Sequence, residues 1–182
     1  MSLLKWLGFG REDGDGTPTA DTAGETETVR KIVGELQSLP KEQARFVAAF
    51  AYILSRVAYA DQHISDDEIS AMEELVARFG KLPEAQAVLA VEIARNQTTL
   101  FGGTENYLVT REFKNMAVRE QREDLLHCLF AVSAADDNID ASEEATIRQI
   151  ADELGFTQDE FVQVRSEYND KRAVVKLSQT TA

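Results

Sequence analysis

The chain has 182 residues, of which 43% are hydrophobic and 28% are charged, a composition typical of one globular domain. No apolar run approaches the roughly 20 residues that cross a bilayer, which argues against an integral membrane protein. The 32 acidic and 19 basic residues give a net charge of −13, which disfavours a nucleic-acid partner. Because the single cysteine cannot form an intramolecular disulfide, we expect a cytoplasmic protein.

The first ten residues form an apolar segment, and a linker rich in Gly, Thr, Asp and Glu follows it to residue 27. The segment is too short for a signal peptide. Two interpretations stay open: a frayed or self-docking terminus, which we favour, and a weak amphipathic anchor that places the protein at the periphery of the inner membrane. The residues that would contact the membrane are Leu3, Leu4, Trp6, Leu7 and Phe9.

From Thr28 onward the apolar residues recur at helical spacing, and no stretch alternates as a half-buried strand does. The sequence therefore predicts an all-α fold of about seven to eight helices. Their predicted ranges are about 28–39, 40–60, 65–79, 83–96, 104–116, 118–135, 140–154 and 157–168.

Helix ends carry recognisable signals. Gly80 and Gly155 are predicted to end helices in the left-handed conformation. Three predicted helices begin with the capping-box pattern, in which a polar side chain and a glutamate three residues later satisfy each other's backbone amides. These pairs are Ser65 with Glu68, Asp140 with Glu143, and Thr157 with Glu160.

The sequence repeats with an offset of 75 residues, which aligns two helix-loop-helix units. We therefore predict two similar helical hairpins packed about a pseudo-two-fold axis, because neither hairpin can bury its apolar face alone. The matched pairs include Leu54 with Leu129, Val57 with Val132, Asp61 with Asp136, Ile64 with Ile139, Glu68 with Glu143, and Gly80 with Gly155.

The loop shared by the two units has the pattern Ala-Asp-x-x-Ile-x-x-x-Glu. We call residues 61–68 the first elbow and residues 136–144 the second elbow. In each copy the aspartate ends one helix and the glutamate lies in the first turn of the next, where the positive end of the helix dipole favours it. Helix capping alone therefore accounts for much of the pattern.

With these elbows, Leu154-Gly155-Phe156 and a Thr-x-x-Glu-Phe helix start, the chain resembles the TerB-like family of tellurite-resistance proteins. The same fold forms the N-terminal domain of the co-chaperone DjlA. The resemblance predicts a helical domain at 28–168, preceded by the segment and linker at 1–27 and followed by a polar tail at 169–182. The family often has Gly after each elbow aspartate, where this chain has Gln62 and Asp137; Asp tolerates a left-handed backbone better than Gln does.

The resemblance also implies a non-catalytic acidic module linked to stress responses, for which divalent-metal binding has been proposed. Oxygen ligands favour Ca²⁺ or Mg²⁺, yet the second elbow departs from the EF-hand template at Ala141 and Ile147. Capping without metal is the favoured interpretation, and a loose metal site stays open. Its candidate ligands are Asp61, Glu68, Asp136, Asp140 and Glu143.

The sequence predicts no enzyme, because it has no nucleophile elbow, no phosphate-binding loop and no zinc-ligand spacing. Cys128 is predicted to be a core residue and His127 a partly buried one. The leading hypothesis is an interaction module whose acidic elbows bind a divalent cation or a basic protein partner. The alternative is a peripheral membrane adaptor that resembles the co-chaperone domain but lacks the His-Pro-Asp tripeptide of a J-domain.

Overall fold

The computed structural model describes residues 27–58, 66–96 and 106–172, and all of the helices below lie within them. The fold class predicted from the sequence is confirmed: this part of the chain is a bundle of eight α-helices with no strand element. The helices are α1 (Glu27–Ser38), α2 (Lys41–Ala58), α3 (Asp66–Phe79), α4 (Glu84–Arg95), α5 (Asn106–Met116), α6 (Arg119–Ser133), α7 (Ala141–Leu154) and α8 (Gln158–Ser166).

Helix α2 is the centre of the bundle. It packs against α1, α4, α5, α6 and α7, so that apolar neighbours surround it. All eight residues from position 47 to position 54 are buried, which is the pattern of a helix covered on every side. The predicted helical stripe of α2 is therefore only part of a wider buried surface.

The helix ends keep the 75-residue offset of the sequence. α2 ends at Ala58 and α6 at Ser133, while α3 and α7 begin and end at equivalent positions. α3 packs on α6 and α7 packs on α2, so the second helix of each hairpin contacts the first helix of the other. This exchange is the packing expected of two hairpins related by a pseudo-two-fold axis.

The end of α3 differs from the prediction. Among the described glycines only Gly155 has a positive φ, and the left-handed residue after α3 is Lys81, with φ 49°. Gly80 is needed for another reason: a Cβ on it would lie 2.7 Å from the Phe50 ring and 2.6 Å from the Val76 carbonyl oxygen. Close packing, and not backbone handedness, therefore requires glycine at position 80.

A buried ion pair connects α2 with α7. Arg56 Nη1 donates to Glu153 Oε2 over 2.7 Å, and the two side chains are only 7% and 10% exposed. The same nitrogen donates to the Thr110 hydroxyl of α5 over 2.8 Å. Burial would raise the pKa of Glu153, but the hydrogen bond and charge of Arg56 outweigh it and hold the pKa below its usual value.

The chain continues past α8 into a short segment, residues 168–172, which we call the strap. It contains a 3₁₀ turn at Asn169–Lys171 and forms an isolated parallel bridge between Arg172 and Ile139 of the second elbow. The Tyr168 ring stacks on Phe130 with centroids 5.2 Å apart, and its hydroxyl donates to the His127 carbonyl over 3.1 Å. These contacts hold the strap on the domain.

Candidate functional site

The second elbow begins with a tight turn stabilised by aspartate. Asp136 Oδ1 accepts from the Asn138 backbone amide over 2.9 Å, the contact that defines an Asx-turn. Asp137 has φ 66°, so the residue after the elbow aspartate is left-handed. This is the conformation that aspartate tolerates better than most non-glycine residues.

The predicted capping box opens α7. Asp140 Oδ1 accepts from the Ser142 and Glu143 amides over 2.7 and 2.8 Å, and Glu143 Oε2 accepts from the Asp140 amide over 2.9 Å. The box predicted between Thr157 and Glu160 at the start of α8 is present as well. Two of the three predicted boxes are therefore confirmed, and the one at α7 occupies one carboxylate oxygen each of Asp140 and Glu143. Ser65 of the third predicted box lies outside the described residues.

Glu143 nevertheless carries a poorly compensated charge. Burial raises the pKa of this carboxyl, the Asp140 backbone amide lowers it, and the negative charges of Asp140 and Asp136 raise it again, so the net pKa is above its usual value. The buried Ser133 hydroxyl approaches the carboxylate and opposes the rise, yet it does not reach hydrogen-bonding geometry. A cation placed here would relieve this repulsion.

The next residue along α7 has the opposite environment. Arg172 donates to Glu144 through two nitrogens, Nε and Nη2, over 2.7 and 2.8 Å, and Arg165 donates to the same carboxylate over 3.1 Å. Burial would raise the pKa of Glu144, but the hydrogen bonds and charges of the two arginines outweigh it and hold the pKa below its usual value. Both oxygens of the Glu144 carboxylate therefore already accept hydrogen bonds from arginines of the same chain.

The strap adds two further contacts. The Ile139 amide donates to the Lys171 carbonyl oxygen over 2.8 Å. The Lys171 ammonium pairs with the Asp137 carboxylate. The second elbow is thus divided into carboxylates occupied by strap cations, at Asp137 and Glu144, and carboxylates held by backbone amides at positions 136, 140 and 143.

The structure brings together only part of the predicted site. Asp136, Asp140 and Glu143 lie in the same elbow and interact electrostatically. Asp61 lies outside the described residues, and of Glu68 only the backbone, in the first turn of α3, is described. Among the residues that the structure describes, no group of three or more His, Cys, Asp or Glu side chains is arranged to hold a metal ion. The described carboxylates of the elbow therefore do not form a ready-made metal site.

The cysteine and histidine of α6 lie where the sequence predicts. Cys128 is fully buried, and burial raises the pKa of its thiol to about 12, so the thiol is not primed as a nucleophile. His127 is partly exposed, and its Nδ1 lies 3.8 Å from the Glu167 carboxylate. These positions give no acid–base pair with the second elbow.

An open groove of about 360 Å³ lies elsewhere, between the start of α2 and the turn after α3. Its lining is a mixture of apolar side chains and amides with one carboxylate and one ammonium group, and no histidine, cysteine or serine lines it. The lining residues are Glu42, Gln43, Phe46, Lys81, Leu82, Pro83, Gln86, Met116 and Gln121. The groove therefore offers no evident catalytic arrangement.

The residues proposed for membrane contact, Leu3, Leu4, Trp6, Leu7 and Phe9, lie outside the described residues. Within the described helices, none combines the length and apolar character of a membrane span. The anchor therefore stays a prediction from the sequence.

Sequence reasoning placed Glu144 in the second elbow but not among the candidate ligands, and it missed Arg165, Lys171 and Arg172 as partners within the site. The arginines and the lysine lie 21 to 34 residues from their carboxylates along the chain, so no local spacing reports the contacts. One signal was available: an adjacent Lys-Arg pair directly after the last helix of an acidic chain.

Comparison with protein families assigns most of the chain to a known one. The profile of a family described as tellurite resistance protein TerB matches residues 47–166, which is more than half of the chain. The matched range contains both elbows and ends at the last residue of α8. No curated protein and no solved structure matches the chain.

Proposed function

The chain belongs to the TerB family of tellurite-resistance proteins, and from this premise we propose that it is a non-catalytic interaction module of a stress response. Its second elbow binds a cationic group, either a basic side chain of a protein partner or a divalent cation. Both ligands relieve the same electrostatic repulsion, at Asp136, Asp140 and Glu143.

The observation that carries the proposal is the position of Glu143 beside Asp136 and Asp140, with no cationic partner in the described part of the chain. A glutamate in the first turn of a helix is normally stabilised by the helix dipole and by its capping bonds. Here burial and the charges of Asp140 and Asp136 outweigh that stabilisation. The elbow therefore contains negative charge beyond what its caps require, and an external cation would gain free energy by neutralising it.

The basic partner is the first candidate, because the elbow already pairs with lysine and arginine side chains of its own chain. The divalent cation is the second candidate, favoured by oxygen ligands of the kind that Ca²⁺ and Mg²⁺ prefer. Asp140 Oδ1 and Glu143 Oε2 already accept amide hydrogen bonds, so a metal would compete with the capping box for these oxygens. We therefore expect any metal affinity to be low.

The cation candidate is tested by thermal unfolding of the full chain with Ca²⁺ or Mg²⁺ against an EDTA control. A ligand at about 100 times its dissociation constant adds about 2.7 kcal/mol to the free energy of unfolding. The Asp136→Asn variant keeps an oxygen that can accept from the Asn138 amide but removes the charge, so the increase in melting temperature should disappear.

The matched control is Asp152→Asn, which removes one exposed carboxylate from the last turn of α7. It should respond to the metal as the wild type does. If millimolar metal leaves the wild type unchanged, the cation candidate is wrong. The basic-partner candidate is then tested alone, by the salt-sensitive binding of a fluorescent oligolysine to the wild type and to Asp136→Asn. Equal binding by both proteins would contradict it.

A further inference from the structure

The strap occupies one side of the second elbow in the way that a bound peptide would. Lys171 pairs with Asp137, Arg172 pairs with Glu144, and the backbone between them accepts from the Ile139 amide. These are one main-chain contact and two charge contacts along consecutive residues. The strap begins two residues beyond the range that the TerB profile matches.

We propose that the surface formed by Asp137, Ile139 and Glu144 recognises a Lys-Arg dipeptide whose arginine is extended, and that the chain's own Lys171 and Arg172 occupy it as an intramolecular competitor. The partner would be a protein segment with the same dipeptide. This inference rests on the proposed function, because it names the partner chemistry of the same elbow.

Arginine is preferred at the second position of the dipeptide for geometric reasons. Arg172 donates from Nε and Nη2 to the two oxygens of Glu144, and this fork-to-fork arrangement is one that a lysine ammonium does not reproduce. The two side chains are only 12% and 17% exposed. Solvent and salt therefore screen this pair less than an ordinary surface ion pair.

The main-chain contact restricts the shape of the ligand. The bridge between Ile139 and Arg172 is parallel, and Arg172 has extended backbone angles of φ −78° and ψ 126°. A segment that adds to an exposed backbone in this way gains affinity from its main chain and specificity from its side chains. The accepting carbonyl belongs to Lys171, the last residue of the 3₁₀ turn, and Arg172 leaves that turn in an extended conformation. The surface therefore selects a Lys-Arg pair at the point where a turn opens into an extended chain.

The strap is also held in place independently of its charges. The Tyr168 ring stacks on Phe130, and the Tyr168 hydroxyl donates to the His127 carbonyl. A ligand tethered this closely has an effective concentration in the millimolar range, which an external peptide must exceed. The wild type should therefore bind a Lys-Arg peptide weakly, and removal of the strap cations should free the Asp137 and Glu144 carboxylates for an external peptide.

The test uses the full chain and a fluorescein-labelled peptide, Tyr-Asn-Asp-Lys-Arg-Ala, which copies residues 168–173. Fluorescence anisotropy would compare the wild type with the double variant Lys171→Ala/Arg172→Ala. We expect the double variant to bind the peptide at least about tenfold more tightly, because the competitor at millimolar effective concentration has been removed. Adding Glu144→Gln to the double variant should abolish the gain.

The matched control is Arg30→Ala/Lys31→Ala, which removes the other adjacent pair of basic residues and changes the net charge equally. It should bind the peptide as the wild type does. A peptide with the order Arg-Lys should bind the double variant less tightly than the Lys-Arg peptide. Cooperative thermal unfolding of each variant would show that the surface has remained folded.

The proposal is overturned if the strap variant binds the peptide no more tightly than the wild type, or if the control variant gains as much. Its failure is distinguishable from failure of the proposed function. The metal and oligolysine experiments depend on Asp136, whereas the peptide experiment depends on Glu144 and on the strap. If the peptide experiment is negative but the metal or oligolysine response is present, only this inference is wrong and the proposed function stands.

Discussion

Side chains of opposite charge contact the backbone at the two ends of α7, and these charges are compensated to different degrees. At the amino end lie the carboxylates of Asp140, Glu143 and Glu144. At the carboxyl end Arg122 donates to the Leu154 carbonyl over 2.9 Å, and Arg119 donates to the Gly155 carbonyl over 3.4 Å. Both arrangements follow the helix dipole, which favours acids at the start of a helix and bases at its end.

The two ends of α7 differ in the further contacts that their charged side chains make. Arg119 also pairs with Glu160 at 2.5 Å and stacks on the Phe156 ring, 4.0 Å from its centroid, so its charge is compensated. Glu143 has neighbours of its own sign and no cationic partner in the described part of the chain. Helix capping thus explains the carboxyl end, whereas the amino end retains the excess charge that the proposed ligand would neutralise.

The largest effect is expected at Glu153. This residue is an acid in the last turn of α7, where the helix dipole disfavours a negative charge, so its stability depends on its cationic partner. Replacing Arg56 with methionine keeps most of the side-chain volume but leaves the nearly buried Glu153 carboxylate without its cation. We expect a loss of about 3 kcal/mol in the free energy of unfolding. The melting temperature should fall by roughly 6–12 °C.

The pH dependence of this variant should reverse. In the wild type the pKa of Glu153 is lowered, so its contribution to stability is present at neutral pH and is lost as the pH falls below about 4.5 through the folded-state pKa. In Arg56→Met the hydrogen bonds and charge of the guanidinium are gone, and burial is opposed only by the lesser hydrogen bonds from Thr110 and Gln149. The pKa of Glu153 should therefore rise, so stability should increase toward acid pH. Denaturant unfolding at several pH values measures both slopes. If the free energy of unfolding falls by less than about 1 kcal/mol at neutral pH, the ion pair between Arg56 and Glu153 contributes no more than an ordinary surface pair.

A smaller effect is expected at Gly155, where the carboxyl end of α7 turns with φ 84°. A Cβ at this position would lie 2.6 Å from the Lys114 Nζ and 2.8 Å from its Cε. Gly155→Ala should therefore cost about 1–2 kcal/mol from the left-handed backbone, with an added cost for displacing Lys114. In a Lys114→Ala background only the backbone cost should remain, and equal costs in both backgrounds would mean that the Lys114 contact is unimportant.

The sequence predicts the amino end of α7 better than the rest of the site. The capping box joins residues three positions apart, so its pattern is local and visible. The left-handed turn at Asp137 is favoured by the residue type itself. The contacts between Arg56 and Glu153, 97 residues apart, depend on how the hairpins pack, and no local spacing encodes them.

The same reasoning explains the error at the end of α3. A glycine after a helix usually supplies the left-handed residue, but here the close approach of Phe50 decides the identity of position 80, and the left-handed residue comes one position later, at Lys81. The strap was missed because its partners are fixed by tertiary packing of Tyr168 on α6. Local rules therefore predict the turns and caps, whereas the ligand-like contacts require the fold.

The smallest expected effect distinguishes excess charge from capping at the amino end of α7. Glu143→Gln keeps a side chain that closes the capping box but removes the charge. Because the folded-state pKa of Glu143 is raised, the wild type loses stability as the pH rises through that pKa, and the glutamine variant does not. The variant should equal the wild type at acid pH and exceed it at pH 7 by on the order of 0.5 kcal/mol, the usual size of a like-charge interaction on a helix surface.

Chemical denaturation of both proteins between pH 4 and pH 7 measures this difference, with Glu74→Gln on the exposed side of α3 as a control of equal charge change. If Glu143→Gln is instead less stable than the wild type at neutral pH, the helix dipole fully compensates the carboxylate. The two ends of α7 would then be alike, and the repulsion that a cationic ligand is proposed to relieve would not exist. A gain that grows with pH means that the elbow maintains its acidic cluster at a cost in stability, as expected of a binding site.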